Sequence, residues 1–292
     1  MKGSIQLKEA ARVSLVVLAC FGLSPMAQAL LPPPPPDGGY PGGNTAEGDA
    51  ALFSLTTGLE NTAIGFAALI GNTTGHDNTA IGHQALVSNT TGGQNTAIGE
   101  DALRSNTTGG DNTATGFEAL NDNTTSSGNT ANGAFALHDN TIGENNTATG
   151  FFALLVNTFG SRNTANGVSA LISNTTGHDN TADGAFTLTA NTTGNFNTTN
   201  GEAALQNNTI GNNNTATGFE ALFNNITGNG NTANGVSALL TNNDGRQNTA
   251  TGANALGSNT TGSFNTPRGS GRCLATRQAI TTLPWAVQPV PI

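Results

Sequence analysis

Apolar residues recur along this chain in a fixed rhythm. Leu52, Leu69, Leu86, Leu103 and nine further leucines stand seventeen residues apart, each preceded by alanine except at Thr187. Eight residues before each leucine an asparagine opens a unit, from Asn44 to Asn248. Counted from that asparagine, position 1 is Asn, 2 is Thr, 5 is Gly and 9 is Leu in all thirteen units of residues 44–264. Position 3 is Ala except at Thr199, and a truncated copy starts at Asn265. A repeat in strict register dictates the architecture before any single residue is considered.

"NTAxG" reads as a short extended segment, with positions 1, 3 and 5 on one face and 2 and 4 on the other. Glycine at position 5 allows a tight bend or a close approach of backbones. Ala-Leu at positions 8 and 9 brings the larger apolar group. "NTTGxx" at positions 12–17, as in residues 72–77, is turn chemistry. A unit this small cannot bury its own apolar face, whereas stacked copies bury it together. The expectation is an all-β parallel β-solenoid of about 13 coils, roughly 4.8 Å apart, forming a rod on the order of 60 Å long. Stacked asparagines at one position are expected to form ladders. A helical repeat fits poorly: seventeen residues leave no room for two helices and two turns, and Gly and Asn-Thr pairs are weak helix formers.

Two positions vary in an informative way. Position 4 is Ile at Ile64, Ile81 and Ile98, then Thr115, Asn132, Thr149, Asn166, Asp183 and further polar residues. Such a position faces solvent or lines a polar seam between chains. Position 6 alternates, with Phe117 and Phe151 against Ala134 and Val168. That points to duplication in pairs and predicts that neighbouring coils compensate each other in volume.

Composition refines this picture. Only 5% of the 292 residues are aromatic and 9% charged, which suits a thin core of small side chains. Residues 1–29 read as a secretory signal peptide: Lys2, Lys8 and Arg12, an apolar run over 13–23, and Ala27-Gln28-Ala29 as the cleavage site. The apolar run is too short to span a bilayer. A rival reading cuts within "VLAC" and leaves Cys20 as a lipid-modified N-terminus, though Leu18 and Phe21 suit it poorly. Residues 30–43 are a Pro/Gly-rich spacer, 44–266 the solenoid, and 267–292 an irregular tail. That tail holds three of the six arginines beyond residue 29, the only Trp and Cys273. Its abrupt onset at Pro267 suggests a frameshift or truncation within a longer repeat gene. Beyond residue 29 there are six arginines, seventeen acids and no lysine, a formal charge of −11. An acidic, lysine-free surface repels nucleic acid and anionic lipid. Cys20 and Cys273 build no disulfide framework.

Catalytic chemistry finds no support in the pattern. His76 and His178 share position 16 but lie six coils apart, His83 is at position 6 and His138 at position 10. They read as variable turn residues, because a metal needs its ligands within a few ångströms. Glu100 and Asp101 adjoin Glu118 one coil on, a place for a stray Ca²⁺, though solvated surface charge accounts for them. No serine has His and Asp partners placed by the repeat. Asn72-Thr73-Thr74 is a formal glycosylation sequon that turn chemistry explains equally. No catalytic, cofactor-binding or metal residue is therefore assigned. The invariant Thr at position 2 suggests an ice-binding row, but its neighbour at position 4 is irregular and such a face needs two matched rows.

"NTAIGFAAL" (61–69), "NTAIGHQAL" (78–86) and "NTAIGEDAL" (95–103) resemble the head repeats of trimeric autotransporter adhesins, the YadA-like head. The resemblance covers residues 44–264. It implies a left-handed parallel β-roll, a homotrimer of chains packed side by side, and attachment to a host surface or extracellular matrix. The unit here is longer than the usual head repeat, the motif's Ile is lost after Ile98, and residues 268–292 show neither apolar heptads nor the alternating strands of a membrane β-barrel. The expected function is a non-enzymatic, secreted or cell-surface adhesin presenting positions 10–11 and 16–17 many times over, without a transmembrane anchor of its own. The alternative is a structural spacer or fibre component with no ligand.

Overall fold

The computed structural model describes residues 39–266. The expected signal peptide, the polyproline run and the tail from Pro267 lie outside them. The described residues form one 14-stranded sheet in sequential order, from β1 (Gly39–Tyr40) and β2 (Asn44–Glu47) through β3 (Thr62–Ile64) to β14 (Thr249–Thr251). From β2 onward every pair is parallel with a register of one unit, Thr62 opposite Thr79 and Ile64 opposite Ile81. The thirteen parallel strands, one per unit, make an all-β parallel β-solenoid of about twelve turns, with no helix among the described residues.

From β3 to β14 each strand is only three residues long, so most of a coil is held by other means. Position 3 points inward and positions 2 and 4 outward, as in Ala63 between Thr62 and Ile64. After Gly65 the chain runs through overlapping tight turns: Ala68 N–H donates to Gly65 O, Ile70 to Ala67 O and Asn72 to Leu69 O. The third residues of the first two turns, Ala67 and Leu69, have φ of 56° and 51°. Left-handed backbone at that place in a turn usually calls for glycine. Here alanine, leucine and others take it, and every position-9 leucine has positive φ. The conformation costs of order 1–3 kcal/mol. It aims the leucine into the core, where full burial contributes about 1.5–3 kcal/mol, and frees its N–H for the next coil, Leu69 to Ala85 O at 3.1 Å. Bonds of this kind run both ways along the axis: Thr62 and Gly71 donate to the following coil, Ala67 and Asp77 to the preceding one.

The core is thin and repetitive. The alanines of positions 3 and 8 and the leucine of position 9 are buried coil after coil. The two exceptions to alanine meet. The Thr187 and Thr199 hydroxyls lie 2.7 Å apart, with the carbonyls of Ala204 and Thr181 at 2.9 and 3.2 Å. Two buried hydroxyls thus satisfy each other and the backbone, as burial of polar groups requires.

Two asparagine ladders complete the interior, where one was expected. At position 1, Asn78 Nδ2 donates to Asn61 Oδ1 (3.1 Å) and to Gly92 O (2.8 Å), while its backbone N–H also reaches Asn61 Oδ1 (3.1 Å). At position 12, Asn89 Nδ2 donates to Asn72 Oδ1 (2.9 Å) and to the same Gly92 O (3.0 Å). Position 12, read from the sequence as a turn residue, does close its turn through that glycine carbonyl and is also fully buried. Turn composition and ladder formation draw on the same residue type. A third row runs along position 13, Thr73 Oγ1 donating to Thr90 O at 3.0 Å.

The end of the Pro/Gly-rich segment joins this fold. β1 pairs antiparallel with β2 through a turn whose Gly42 and Gly43 have φ of 79° and 73°. Tyr40 packs against the core and Asn44 Nδ2 bonds Pro41 O (2.8 Å). This hairpin covers the N-terminal edge of the first coil and leaves fewer strand groups open to mispairing there.

Candidate functional site

With the inward positions constant, variation sits on the outside. Position 4 faces outward: Ile64, Ile81 and Ile98 are each more than a third exposed. Position 6 is also exposed where it carries Phe66, Phe117, Phe151, Val168, Phe219 and Val236. Its alternation therefore lies on the surface rather than in the core, and volume compensation inside the stack plays no part in it. Stacking fixes each outward residue one strand spacing from its counterpart, so a variable position becomes a row along the rod.

The densest part of this surface spans the coils opening at Asn112, Asn129 and Asn146. Position 6 supplies Phe117 and Phe151, and position 7 supplies Phe135 and Phe152. Phe135 lies at the centre, with ring centroids 5.2 Å from Phe117, 5.3 Å from Phe152 and 6.2 Å from Phe151. Phe117 and Phe151 remain 41% and 46% exposed, enough aromatic face for a partner to stack upon. The His138 ring adjoins at 5.9 Å from Phe135.

Polar groups gather around the same coils. His138 Nε2 lies 3.0 Å from Glu118 Oε2, and its Nδ1 contacts Asp139 Oδ1 at 2.5 Å. Among the described residues, Asp122, His138 and Asp139 form a group whose ligand atoms all lie within 4.8 Å of one another. The earlier grouping of Glu100, Asp101 and Glu118 is drawn apart by separate partners: Glu100 lies 3.9 Å from His83, Asp101 3.6 Å from Arg104, and Glu118 faces His138. Comparison of like positions along the repeat does not bring position 10 against position 11 of the coil before, which the path of the chain does at His138 and Asp122. The signal available in the sequence was that position 11 is acidic only at Asp122 and Asp139.

Other histidines pair locally. His76 Nδ1 lies 2.9 Å from Asp77, and His178 Nδ1 2.7 Å from Asp179. Asp179 also receives both Nε and a terminal nitrogen of Arg162, at 2.7 and 2.8 Å, from one coil away. This two-pronged contact, with His178 adding to it, holds the Asp179 carboxyl at about 2.

Further along, Ala190, Asn207, Asn224, Thr209, Ile226 and Asn243 line part of an open groove of about 550 Å³ running along the rod. On the strand face the position-2 threonines form an unbroken row in register, beside a mixed row at position 4. The sequon asparagines Asn72, Asn89 and Asn106 are fully buried within the position-12 ladder. No helix among the described residues is long and apolar enough to cross a membrane. Compared with protein-family models, with curated proteins and with solved structures, the chain matches none.

Proposed function

We propose that the chain is an exported, non-enzymatic adhesin-like protein, a rod that attaches through many weak contacts and trimerises in the manner of a YadA-like head. The observation that carries this reading is the division of labour within each unit. Inward positions hardly change over thirteen coils, whereas positions 4, 6, 7, 10 and 14 vary and leave large apolar side chains such as Phe66, Phe151, Phe159 and Ile210 outside. A chain that served only as a spacer gains nothing from exposed phenylalanine, which adds a tendency to aggregate. Exposed rows at a fixed spacing bring a second contact into play once the first is made, at high effective concentration. The apolar residues of position 4, Ile64, Ile81 and Ile98, are the natural seam between chains of a trimer.

Binding of the exported protein to immobilised matrix proteins and to cells tests the attachment role. The doubly substituted Phe117→Ser, Phe151→Ser protein should lose tenfold or more of that binding while keeping its β-sheet circular dichroism. Absence of binding by an intact rod would favour the spacer. Sedimentation equilibrium tests the trimer: a mass of one chain overturns it.

A further inference from the structure

We propose that Asp122, His138 and Asp139 form a binding site for one divalent first-row metal ion, Zn²⁺ being the natural probe, with Glu118 orienting the imidazole. Charges fall unevenly in the repeat. Position 11 is uncharged in eleven of thirteen units, with residues such as Ser88, Gly71, Val156 and Thr241. The two acids that occur there, Asp122 and Asp139, occupy adjacent coils. Stacking in register sets them on neighbouring turns, where like charges repel unless a cation lies between them. Arg104, the nearest arginine in sequence, is turned to Asp101 at 3.6 Å.

An imidazole, that of His138, stands beside this pair instead of a lysine or arginine. His138 Nδ1 faces Asp139 at 2.5 Å, and atoms of all three residues fall within 4.8 Å of one another. Ligands at about 2.0–2.2 Å from one ion stand closer together than this, so binding would draw the three side chains inward by rotation. His138 Nε2 points at Glu118 Oε2, 3.0 Å away. That is the arrangement in which a carboxylate takes the distal ring N–H, fixes the tautomer and raises the basicity of the ligating nitrogen. One imidazole and two carboxylates, half-buried with an open side for water, suit Zn²⁺ and its neighbours. Ca²⁺ prefers oxygen alone. The ion would clamp two neighbouring coils beneath the aromatic cluster.

The test is calorimetric titration of ZnCl₂ into the full chain after chelator treatment, with thermal melts in parallel. One equivalent should bind tightly, and saturation should raise the melting temperature. Asp122→Asn is the decisive variant, because Asn207 and Asn224 already occupy position 11 and bond each other at 3.1 Å. It should bind zinc at least tenfold more weakly, and without metal it should melt above the metal-free wild type. Glu118→Gln should weaken binding about 10–100-fold, as loss of a partner that orients a ligand does. Absence of a tight equivalent, zinc affinity of Asp122→Asn within twofold of wild type, or displacement of zinc by a tenfold excess of Ca²⁺ would each overturn the assignment.

Discussion

At the scale of the residue, the interior is governed by hydrogen-bond accounting more than by bulk. An asparagine at position 1 uses both amide hydrogens and its carbonyl oxygen within the stack, as Asn95 does with Asn78, Gly109 and Asn112. An unsatisfied group there would cost about 1–3 kcal/mol, which explains why the position does not vary. The Thr187–Thr199 pair makes the same point through its exceptions. Restoring alanine at one of the two should destabilise the protein, while restoring it at both should recover part of the loss. A coupling of about 1 kcal/mol is expected from a double-mutant cycle by denaturant unfolding. Asp179 gives a pH-dependent counterpart. Its folded pKa is lowered, to about 2, chiefly by the hydrogen bonds from Arg162. Its contribution is therefore present above the unfolded value near 4 and is lost as pH falls towards 2. The pair is solvent-exposed and its effect correspondingly small. Arg162→Gln, a residue that Gln94 and Gln247 show is accepted at this left-handed position, should lower the denaturant midpoint at pH 6. By pH 2 the two proteins should unfold together.

At the scale of the element, the strands matter less than the bends between them. Gly133 has φ of 138°, and a Cβ there would stand 2.6 Å from Gly150 O on the next coil. Gly133→Ala should thus cost about 3 kcal/mol or more, combining backbone strain with overpacking. Substituting its exposed neighbour, Asn132→Ala, should stay within about 0.5 kcal/mol; equal effects in chemical denaturation would refute this account of the glycine row. The invariance of Gly at position 5 was legible in the sequence as a need for close approach. The left-handed leucines and the consecutive turns over positions 5–12 were not. Nothing in leucine's chemistry announces positive φ, and only burial against the neighbouring coils makes that conformation worth its strain. Position 12 was legible only in part, for a related reason. Asparagine favours turns and ladders alike, and only the stack shows that its amide serves both, Asn89 Nδ2 reaching Gly92 O within the turn and Asn72 Oδ1 on the neighbouring coil.

At the scale of the whole molecule, stability should behave as a sum over coils and the contacts between them. Deleting one complete unit, residues 214–230, should preserve β-sheet circular dichroism and a cooperative melt only a few degrees lower. Deleting residues 214–222 alone removes fewer residues, yet it throws the leucine and asparagine rows out of register and should abolish cooperative unfolding. Similar behaviour of the two deletions would count against register as the organising constraint. The surface follows the opposite rule: because outward residues do not affect stacking, they are free to carry whatever binding the protein performs.

The sequence by itself determined the coil length, the parallel in-register stack, the leucine-alanine core and the outward direction of positions 2 and 4. An uninterrupted period leaves a chain of small side chains one way to bury its leucines, which is against their own copies. Tertiary structure alone decided which residues meet across coils: Thr187 with Thr199, Arg162 with Asp179, and His138 with Glu118 beside Asp122 and Asp139. Those meetings depend on how the path bends within a unit and on which rows it lays side by side. That path is set by turn geometry and inter-coil hydrogen bonds, and spacing along the chain does not encode them.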